Sequence, residues 1–505
     1  MNLDKRDILS GLSFGRRVAE EEVAELGSYF VTTDQWNKVL SGEVDVIFGA
    51  KGAGKSAIYS TLLSRDGQLF DKGITLVSAE NPKGTPAFKD LVSDPPTSEV
   101  EFVGLWKLYI LSLIGTVLID FDIKGPDSDA VRVALNAEGL LPAKHVPLRG
   151  RVALILSFVR RILPKSLEGE VKLDPLTGAP IGFSTKISLG EPSVEQKAGG
   201  TRSVDELLQL ANRALMEERL VVWLLFDRLD VAFAESRELE ANGLRALFKC
   251  YLDLAASDSI RLKIFLRSDV WEAVAADGFR EASHITRQMT ISWSQPALLH
   301  LIVRRLASNV SVMAKLGEAP DSVLASAASQ RRFFDQLVPD QVDAGKNPKS
   351  FEWILGRVQD GTRTVAPREV IHLLNEARDA QLRMLERGEE APPNREIFSR
   401  QALRESLPPV SRVRLEQTIY AEYPELKPYI AKLYQEKTEQ TPATLASIWG
   451  VSEEDAKELA VKLEDVGFFE VRGSKLKPRF WVPFLYRSAL DMVQGAASMD
   501  DEART

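Results

Sequence analysis

The sequence is poor in the side chains that build disulfide frameworks and soft-metal sites. Its 505 residues include one cysteine, Cys250, and four histidines. A single thiol excludes an intrachain disulfide framework and any zinc or iron–sulfur site built on several thiolates. The histidines are scattered without metal-ligand spacing, so each is predicted to be a structural or surface residue. They are His145, His284, His300 and His372.

The sequence also has little that would direct it to a membrane. Its first residues, MNLDKRDILSGLSFGRR, carry charges where a secretory signal needs an apolar core. The most apolar stretch, residues 108–119, is shorter than the roughly 18 residues that a spanning helix needs. We therefore expect a cytoplasmic protein without a membrane contact, in which residues 108–119 form a buried helix.

There is no excess of positive charge. The chain has 64 Lys and Arg against 72 Asp and Glu, a formal net charge of -8, so any contact with nucleic acid must come from a local patch. With 44% hydrophobic and 27% charged residues the composition is that of soluble globular proteins rather than disordered or fibrous ones. At about 150 residues per domain, the length predicts roughly three domains.

Short apolar runs alternate with helical patterns in the first 300 residues. Strands alternating with helices predict an α/β fold, a parallel sheet with helices on both faces. Residues 171–189 alternate with a period of two, which predicts an inserted β-hairpin followed by a loop. From about residue 295 the pattern is helical. The predicted buried strands are residues 44–48, 74–77, 220–226 and 260–266.

These patterns divide the chain into five predicted regions. They are a helical N-terminal lead-in (1–43), an α/β core (44–294) with an inserted hairpin and loop (168–200), a helical region with a linker (295–396), a C-terminal domain (397–495) and a disordered acidic tail (496–505).

The most specific motif is GAKGAGKS, residues 49–56, which matches G-x-x-x-x-G-K-[ST]. Glycines let the backbone curl so that several N–H groups converge on a polyphosphate. Lys55 is predicted to reach the β- and γ-phosphates of ATP, and Ser56 to place its hydroxyl on Mg²⁺. A glycine-rich turn without a ligand is the alternative, but the strand before and the helix after favour a nucleotide site. The predicted ATP-binding residues here are Gly49, Ala50, Lys51, Gly52, Ala53, Gly54, Lys55, Ser56 and Ala57.

A magnesium-binding acid is predicted at the end of a neighbouring strand. Asp227 closes the apolar run that begins at Leu220, and an aspartate there is costly to bury without a cation or donor. We predict that Asp227 binds the metal together with Ser56; a plain loop aspartate is the alternative. Asp230, three residues further on, is either a second catalytic carboxylate or a helix N-cap.

Two arginines are candidates for phosphate contacts. Arg267 ends the predicted strand IRLKIFLR, and strand ends on one edge of a parallel sheet converge on the ligand, so it is a candidate γ-phosphate sensor. A salt bridge to a nearby acid is the alternative. Arg368 lies just inside a helix start, where a cation gains nothing from the helix dipole. The guanidinium of Arg368 is therefore predicted to bind a phosphate or to form an ion pair.

Together these segments resemble a known group of enzymes. The P-loop, FDRLD, LRSD, ISWSQPALLHLIVRRL and APREVIHLLNEA are similar to motifs of bacterial P-loop ATPases of the AAA+/STAND group, with KAP ATPases and origin-recognition-like ATPases as nearest kin. The resemblance covers residues 28–385, and the C-terminal domain fits it too. It implies that Lys55 and Ser56 bind phosphate and Mg²⁺, and that Asp227 is the Walker-B acid. It also implies that Arg267 lies in the sensor-1 region and Arg368 is a sensor-2 candidate in a helical lid.

The sequence departs from that group at one position. Related ATPases commonly carry Glu or Asp after the Walker-B aspartate as the base that activates water, and this chain has Arg228. A guanidinium stays protonated in proteins and cannot accept a proton. We therefore expect slow hydrolysis, with Asp230 as the nearby replacement.

The C-terminal domain is predicted to be a winged helix. Ser452 and Asp455 form a capping-box pattern at the start of its second helix, and FFEVRGSKLKPRFWV predicts a two-stranded wing. Six acidic residues against two lysines give residues 453–465 a net charge of -4, which repels phosphates. A protein partner or a homo-oligomer is therefore favoured over nucleic acid, for which the wing offers Arg472, Lys475, Lys477 and Arg479.

Three functions remain open at this point. The first is a slow ATP-dependent switch that controls a partner protein or assembly. The second is a DNA-associated loading or remodelling ATPase. The third is a sensor or adaptor in bacterial anti-phage defence that uses ATP mainly for assembly.

Overall fold

The computed structural model describes residues 4–16, 22, 26–27, 29–80, 98–141, 147–162, 185–229, 237–276, 278–474 and 477–497. The chain divides into two compact units. The sheet unit consists of Asp34–Gly49 and Lys55–Ile291, and the helical unit consists of Met1–Thr33, Ala50–Gly54 and Ser292–Thr505. The predicted N-terminal lead-in is thus divided between the two units.

A parallel sheet forms the centre of the sheet unit. Within the described residues it has five strands in the order β2-β5-β6-β1-β7, and every neighbouring pair is parallel. A separate pair, β3 and β4, is also parallel. The strands are β1 Val46–Gly49, β2 Ile74–Ser78, β3 Ile187–Ser188, β4 Arg202–Ser203, β5 Val221–Phe226, β6 Ile260–Arg267 and β7 Gln288–Thr290.

Helices cover both faces of this sheet, which confirms the predicted α/β fold class. Phe226 of β5 packs against Trp106 on one face, with ring centroids 5.9 Å apart. Phe265 of the neighbouring β6 packs against Tyr59 on the other face at 5.7 Å. The helices of this unit are α2 Asp34–Leu40, α3 Lys55–Ser64, α4 Asp66–Phe70, α5 Glu99–Asp120, α6 Pro126–Ala137, α7 Leu148–Ile162, α8 Val194–Ala198, α9 Val204–Glu217, α10 Arg237–Leu254 and α11 Ser268–Ala276.

The long helix α5 fills the core on one face of the sheet. Ser98 caps it by accepting a hydrogen bond from the backbone N–H of Glu101. By length and composition alone α5 is able to cross a membrane, as is the bent pair Gln295–Ala307 and Val310–Leu316 if taken as one segment. However, 78% of the apolar window of α5 is buried inside the fold. Residues 108–119 therefore lie in a buried helix, as predicted, and the helix extends beyond them at both ends.

The predicted hairpin lies largely outside the described residues, which resume at Thr185. Its described end, β3, pairs in parallel with β4, with Ile187 opposite Arg202. The segment between them was expected to be a loop but contains α8, whose capping box joins Ser193 and Gln196. Because Ile187 is fully buried, this segment is anchored in the core of the sheet unit.

The helical unit begins with α1, Lys5–Gly11, whose Ile8 and Leu9 are buried in the apolar core of that unit. The π-helical turn Leu415–Ile419 follows α19 directly and continues into α20. The other helices are α12 Gln295–Ala307, α13 Val310–Leu316, α14 Pro320–Leu324, α15 Ala327–Leu337, α16 Ser350–Val358, α17 Pro367–Glu386, α18 Arg400–Glu405, α19 Leu407–Arg414, α20 Tyr420–Glu422, α21 Lys427–Ala431, α22 Pro442–Trp449, α23 Glu453–Asp465 and α24 Phe484–Arg487.

A second sheet closes the C-terminal part of this unit. Its order is β11-β8-β10-β9, formed by β8 Lys437–Gln440, β9 Glu470–Ser474, β10 Lys477–Trp481 and β11 Val493–Ala496. Helices α22 and α23 are joined through Gly450, which has φ 70° and is left-handed. The two helices and the antiparallel pair β9 and β10 occur where the sequence predicts them. Their assignment to the winged-helix class stays a prediction, and residues 498–505 of the predicted tail lie outside the described residues.

Candidate nucleotide site

The phosphate loop connects β1 to α3, the strand and helix that its motif requires. Gly52 and Gly54 adopt φ values of 85° and 104°, a region that residues with a Cβ rarely occupy. Ala53 N–H donates to the carbonyl of Ala50 at 3.1 Å, which tightens the turn. The motif glycines therefore occupy the backbone conformations for which the sequence predicts them.

Lys55, the first residue of α3, bends back to its own loop. Its Nζ donates to the carbonyl oxygen of Gly49 at 2.7 Å. This bond holds the ammonium group beside the loop backbone, where a phosphate oxygen is a stronger, charged acceptor. Ser56 and Ala57 follow in the first turn of α3, and both are half-buried.

Asp227 follows β5 at the same edge of the sheet as the phosphate loop. Strand β6 pairs with β5 on one side and β1 on the other, so the ends of β5 and β1 lie about 10 Å apart across the sheet. Phe226 is paired with Ile264, which is itself paired with Val46. Asp227 is 5% exposed, so its carboxylate is buried at this edge.

The face of the sheet that carries Asp227 is the face against α3. Side chains alternate along a strand, so Asp227 lies on the face opposite Phe226. Tyr59 of α3 marks that face, because its hydroxyl donates to Ser78 Oγ at 3.1 Å and its ring contacts Phe265. Asp227 and the helix that follows the phosphate loop are therefore on the same side of the sheet.

A second buried acid, Glu80, lies close to Asp227. Burial, together with the charges of Asp227 and Glu80, raises the pKa of Tyr59 to about 12, although the hydrogen bond with Ser78 opposes the shift. Glu80 is 1% exposed and follows β2, the strand next to β5. Glu80 was not among the predicted site residues, although it follows a predicted strand as Asp227 does.

Arg267 ends β6 in register with Gly49 of the phosphate loop. Its guanidinium forms an ion pair with Asp269, through Nε to Oδ1 at 3.1 Å and Nη2 to Oδ2 at 2.6 Å. The salt bridge that the sequence left as the alternative is thus present, and the sensor role of Arg267 stays a prediction. Arg267 is 8% exposed, so it is buried at the end of the strand.

The positions after Asp227 are only partly described. Arg228 is half-buried and has φ 60°, a left-handed conformation that is uncommon for a residue other than glycine. Asp230 lies outside the described residues, so its role as a catalytic carboxylate or a helix cap stays a prediction.

The tip of the phosphate loop, residues 50–54, has contacts within the helical unit. Arg368 is the second residue of α17, and a Cβ built on Gly52 would lie 2.9 Å from the Arg368 Cβ. The indole Nε1 of Trp293 donates to the carbonyl of Ala53 at 2.8 Å. Arg368 therefore lies beside the loop, and its role as a phosphate ligand stays a prediction. Trp293 is an additional contact that no sequence motif indicates.

Lys51 connects the loop tip to the segment that follows α19. Its ammonium group forms an ion pair with Glu422 and donates to the carbonyl of Gln417 at 3.2 Å. The side chains of Lys51 and Glu422 are 28% and 22% exposed. The two residues are 371 positions apart, so no local pattern in the sequence indicates their contact.

A cavity of about 80 Å³ opens beside Arg368. Arg414 of α19 lines it and forms an ion pair with Glu369 of α17, with 3.1 Å between Nη1 and Oε1. Both residues are more than nine-tenths buried. The cavity is lined by Arg368, Glu369, His372, Val410, Val413, Arg414, Gln417 and Thr418.

Two of the four basic wing residues are engaged in ion pairs. Arg472 pairs with Glu470 and lies over the ring of Trp481, 3.9 Å from its centroid. Arg479 pairs with Glu439 at 2.7 Å. Lys477 is exposed, and Lys475 lies outside the described residues. The positive charge available for a phosphate contact at the wing is therefore smaller than the sequence predicts.

A protein-only metal centre is not found in the described part of the chain, where no group of three or more His, Cys, Asp or Glu side chains is arranged to hold a metal ion. The predicted magnesium site needs no such group. Mg²⁺ usually takes one or two protein oxygens and completes its shell with substrate phosphates and water. The hydroxyl of Ser56 and the carboxylate of Asp227 are ligands of that kind.

No protein-family model matches the chain, and no curated protein matches it. Seven chains of solved structures match. One is the ORC2 protein of Aeropyrum pernix, solved as ADPNP-ADP complexes, which is 12% identical with a TM-score of 0.35 over 94% of each chain. At this identity and TM-score the likeness establishes neither a family nor a ligand for this chain.

Proposed function

We propose that the chain is an ATP-binding, Mg²⁺-dependent P-loop ATPase that works as a slow nucleotide-dependent switch for a partner protein or assembly. The observation that carries the proposal is the phosphate loop between β1 and α3, with the Lys55 ammonium group at its base. The buried carboxylate of Asp227 on the same face of the sheet supports it.

The residues of the sheet unit suit a bound triphosphate. Lys55 would exchange the Gly49 carbonyl for β- and γ-phosphate oxygens, and this charged acceptor gives a stronger bond. The first turn of α3 would direct its N–H groups at the phosphates. Bound Mg²⁺ would neutralise phosphate charge. Ser56 and Asp227 are the residues that would hold it, and Arg267 and Arg368 stay candidates for further phosphate contacts.

The proposal is tested by Lys55→Ala in a titration with fluorescent ATP. We expect the affinity to fall at least about tenfold while the fold is retained, because Lys55 is half-buried at the start of α3 and not in the core. Lys72→Ala removes an exposed lysine of the same unit and serves as the matched control. Unchanged affinity in a folded Lys55→Ala protein would overturn the assignment of the loop.

The partner of the switch is proposed to be a protein or a second copy of the chain. Helix α23 places Glu453, Glu454 and Asp455 in its first turn, which repels phosphates. Two of the basic wing residues, Arg472 and Arg479, already have acidic partners. These charges favour a protein contact over a DNA contact at the C-terminal domain.

The alternatives differ in how DNA affects ATP turnover. A DNA-associated loading or remodelling ATPase is expected to hydrolyse ATP faster with duplex DNA. A sensor or adaptor, for example in anti-phage defence, is expected to show negligible turnover with and without DNA. For the proposed switch we expect slow turnover that DNA does not change, together with weak, sequence-independent DNA binding in gel shifts of the full chain at physiological salt.

A further inference from the structure

We propose that Glu80 is the carboxylate that accepts the proton of the water attacking the γ-phosphate. This inference rests on the proposed ATPase function and names a catalytic residue for it. The sequence offers no motif around Glu80, and the order of the strands is what brings it to the site.

The register of β2 and β5 places Glu80 beside Asp227. The pairs run from Ile74 with Val221 to Ser78 with Leu225, and the N–H of Ala79 still donates to the carbonyl of Leu225 at 2.9 Å. Two residues beyond the last pair, the same register sets Glu80 opposite Asp227. Adjacent strands are about 4.8 Å apart, so the two α-carbons are close neighbours at the sheet edge.

Glu80 lies close to helices on both faces of the sheet: besides burial, its charge raises the pKa of Tyr59 of α3 and the pKa of Tyr109 of α5. Ser78 is the last residue of β2, and Glu80 follows it two residues later. Ser78 accepts a hydrogen bond from Tyr59 of α3. Burial raises the pKa of Tyr59, and the charges of Asp227 and Glu80 add to this effect, so both carboxylates lie near this tyrosine. Glu80 thus lies at the edge of the sheet from which the phosphate loop continues.

Other described groups near the edge are less suited to accept a proton. Arg228 follows Asp227 directly, and its guanidinium stays protonated. Asp269 is engaged by Arg267 through both carboxylate oxygens. Asp45 precedes β1, at the opposite end of the strand from the loop, and is paired with Lys263. Among the residues that the structure describes, Glu80 and Asp227 remain as the buried acids at this edge, and Asp227 is assigned to the metal; Asp230 lies outside them.

In the proposed hydrolysis step Asp227 would hold the metal and Glu80 would accept the proton. The water oxygen forms a bond to the γ-phosphorus as the bond from that phosphorus to the β–γ bridging oxygen breaks. The bridging oxygen keeps the electron pair and leaves with ADP. One water proton passes to a carboxylate oxygen of Glu80, which later releases it to solvent. The products are ADP, inorganic phosphate and one proton, so atoms and charge balance.

The experiment compares Glu80→Gln with wild type in ATP binding and in single-turnover hydrolysis. We expect ATP affinity within about threefold of wild type and hydrolysis slower by about a hundredfold, the usual loss when a general base is removed. Nucleotide recovered from the variant after gel filtration should be ATP, whereas wild type should yield ADP. Glu218→Gln removes an exposed acid of the same unit and is the matched control.

The outcomes separate the two proposals. If wild type binds and hydrolyses ATP and Glu80→Gln is as fast, Glu80 is not the base and the ATPase function stands. If wild type binds no ATP, the proposed function fails and this inference fails with it. Glu80→Asp keeps the carboxylate one methylene shorter and should retain part of the rate. A Glu80→Asp protein that folds and binds ATP but is no faster than Glu80→Gln would also overturn the assignment.

Discussion

Lys51, at the tip of the phosphate loop, forms an ion pair with Glu422, which lies 371 residues later in the chain. The carbonyl of Gln417, in the π-helical turn before α20, accepts a second hydrogen bond from the same ammonium group. A π-helical turn shifts the backbone hydrogen-bond pattern, and such turns are frequent at functional sites. A carboxylate at this position opposes the approach of a polyphosphate and occupies a lysine of the loop.

We therefore expect Glu422→Gln to bind ATP more tightly than wild type. The pair is partly exposed, so solvent screens it and the gain should be modest, about two- to tenfold in affinity. Fluorescent-nucleotide titration at low salt measures this. Glu416→Gln removes an exposed acid from the same π-helical turn and should leave the affinity unchanged. Equal affinity for Glu422→Gln and wild type would show that this carboxylate does not hinder ATP.

Gly52→Ala should impair nucleotide binding without unfolding the protein. Its φ of 85° and the 2.9 Å separation between a new Cβ and Arg368 Cβ leave no room for the methyl group. A left-handed residue with a Cβ costs about 1–2 kcal/mol, and relief of the clash would displace the loop or Arg368. We expect ATP affinity to fall at least about tenfold, with a melting temperature near wild type. Gly356→Ala, at an exposed helical position with open space, is the control, and equal effects would contradict the argument.

The parts of the fold and site that the sequence predicts are those with local signatures. The phosphate loop, the buried strands and Asp227 each follow from a short stretch of residues. Glu80 satisfies the same local rule as Asp227, yet its importance depends on β2 lying next to β5. Strand order is set by the packing of helices many residues away, and periodicity within a strand reports burial but not the identity of the neighbour.

The contacts of the loop tip were not predictable for a different reason. Lys51 and Glu422 are both charged residues of types that are common on protein surfaces. Their pairing depends on the path of the chain through the helical unit. The pairing of β3 with β4 was not predictable for the same reason. Ile187 and Arg202 are separated in the chain by α8, and the turn residues between them do not indicate that the two strands pair in parallel.

Lys263 should make the stability of the protein depend on pH. It is fully buried, donates to Asp45 Oδ1 at 2.8 Å and lies over the ring of Trp223. Burial lowers the pKa of Lys263 from 10.5 to about 8, although Asp45 opposes the shift. Below about pH 8 the lysine is protonated in the folded and unfolded states alike. Between about pH 8 and 10.5 only the unfolded chain keeps the proton, so the free energy of unfolding rises with pH.

Lys263→Met removes this dependence and leaves Asp45 paired with Arg287. We expect the free energy of unfolding of wild type, relative to Lys263→Met, to increase by about 2 kcal/mol between about pH 7.5 and pH 10. Urea denaturation at the two pH values measures the free energy of unfolding of each protein. Tyrosine titration affects wild type and Lys263→Met alike, so it cancels in the difference between them. Lys72→Met, at an exposed position, should show no such change. A difference that stays constant with pH would contradict the lowered pKa.

The last prediction concerns the rate of hydrolysis and the residue after Asp227. Arg228 directly follows Asp227, has φ 60° and is half-buried. Because a guanidinium cannot accept a proton, position 228 adds no second base to Glu80, and we expect slow basal turnover in wild type. Arg228→Glu should raise the rate severalfold, since it adds a second proton acceptor beside Asp227 and removes a cation.

Arg228→Gly is the matched control, because glycine accepts this φ without strain and removes the cation without adding an acid. Steady-state phosphate release from the two variants separates the effects. If Arg228→Glu is no faster than Arg228→Gly, position 228 does not reach the attacking water. Rapid turnover in wild type would instead mean that Arg228 does not slow hydrolysis and that the proposal of a slow switch is wrong.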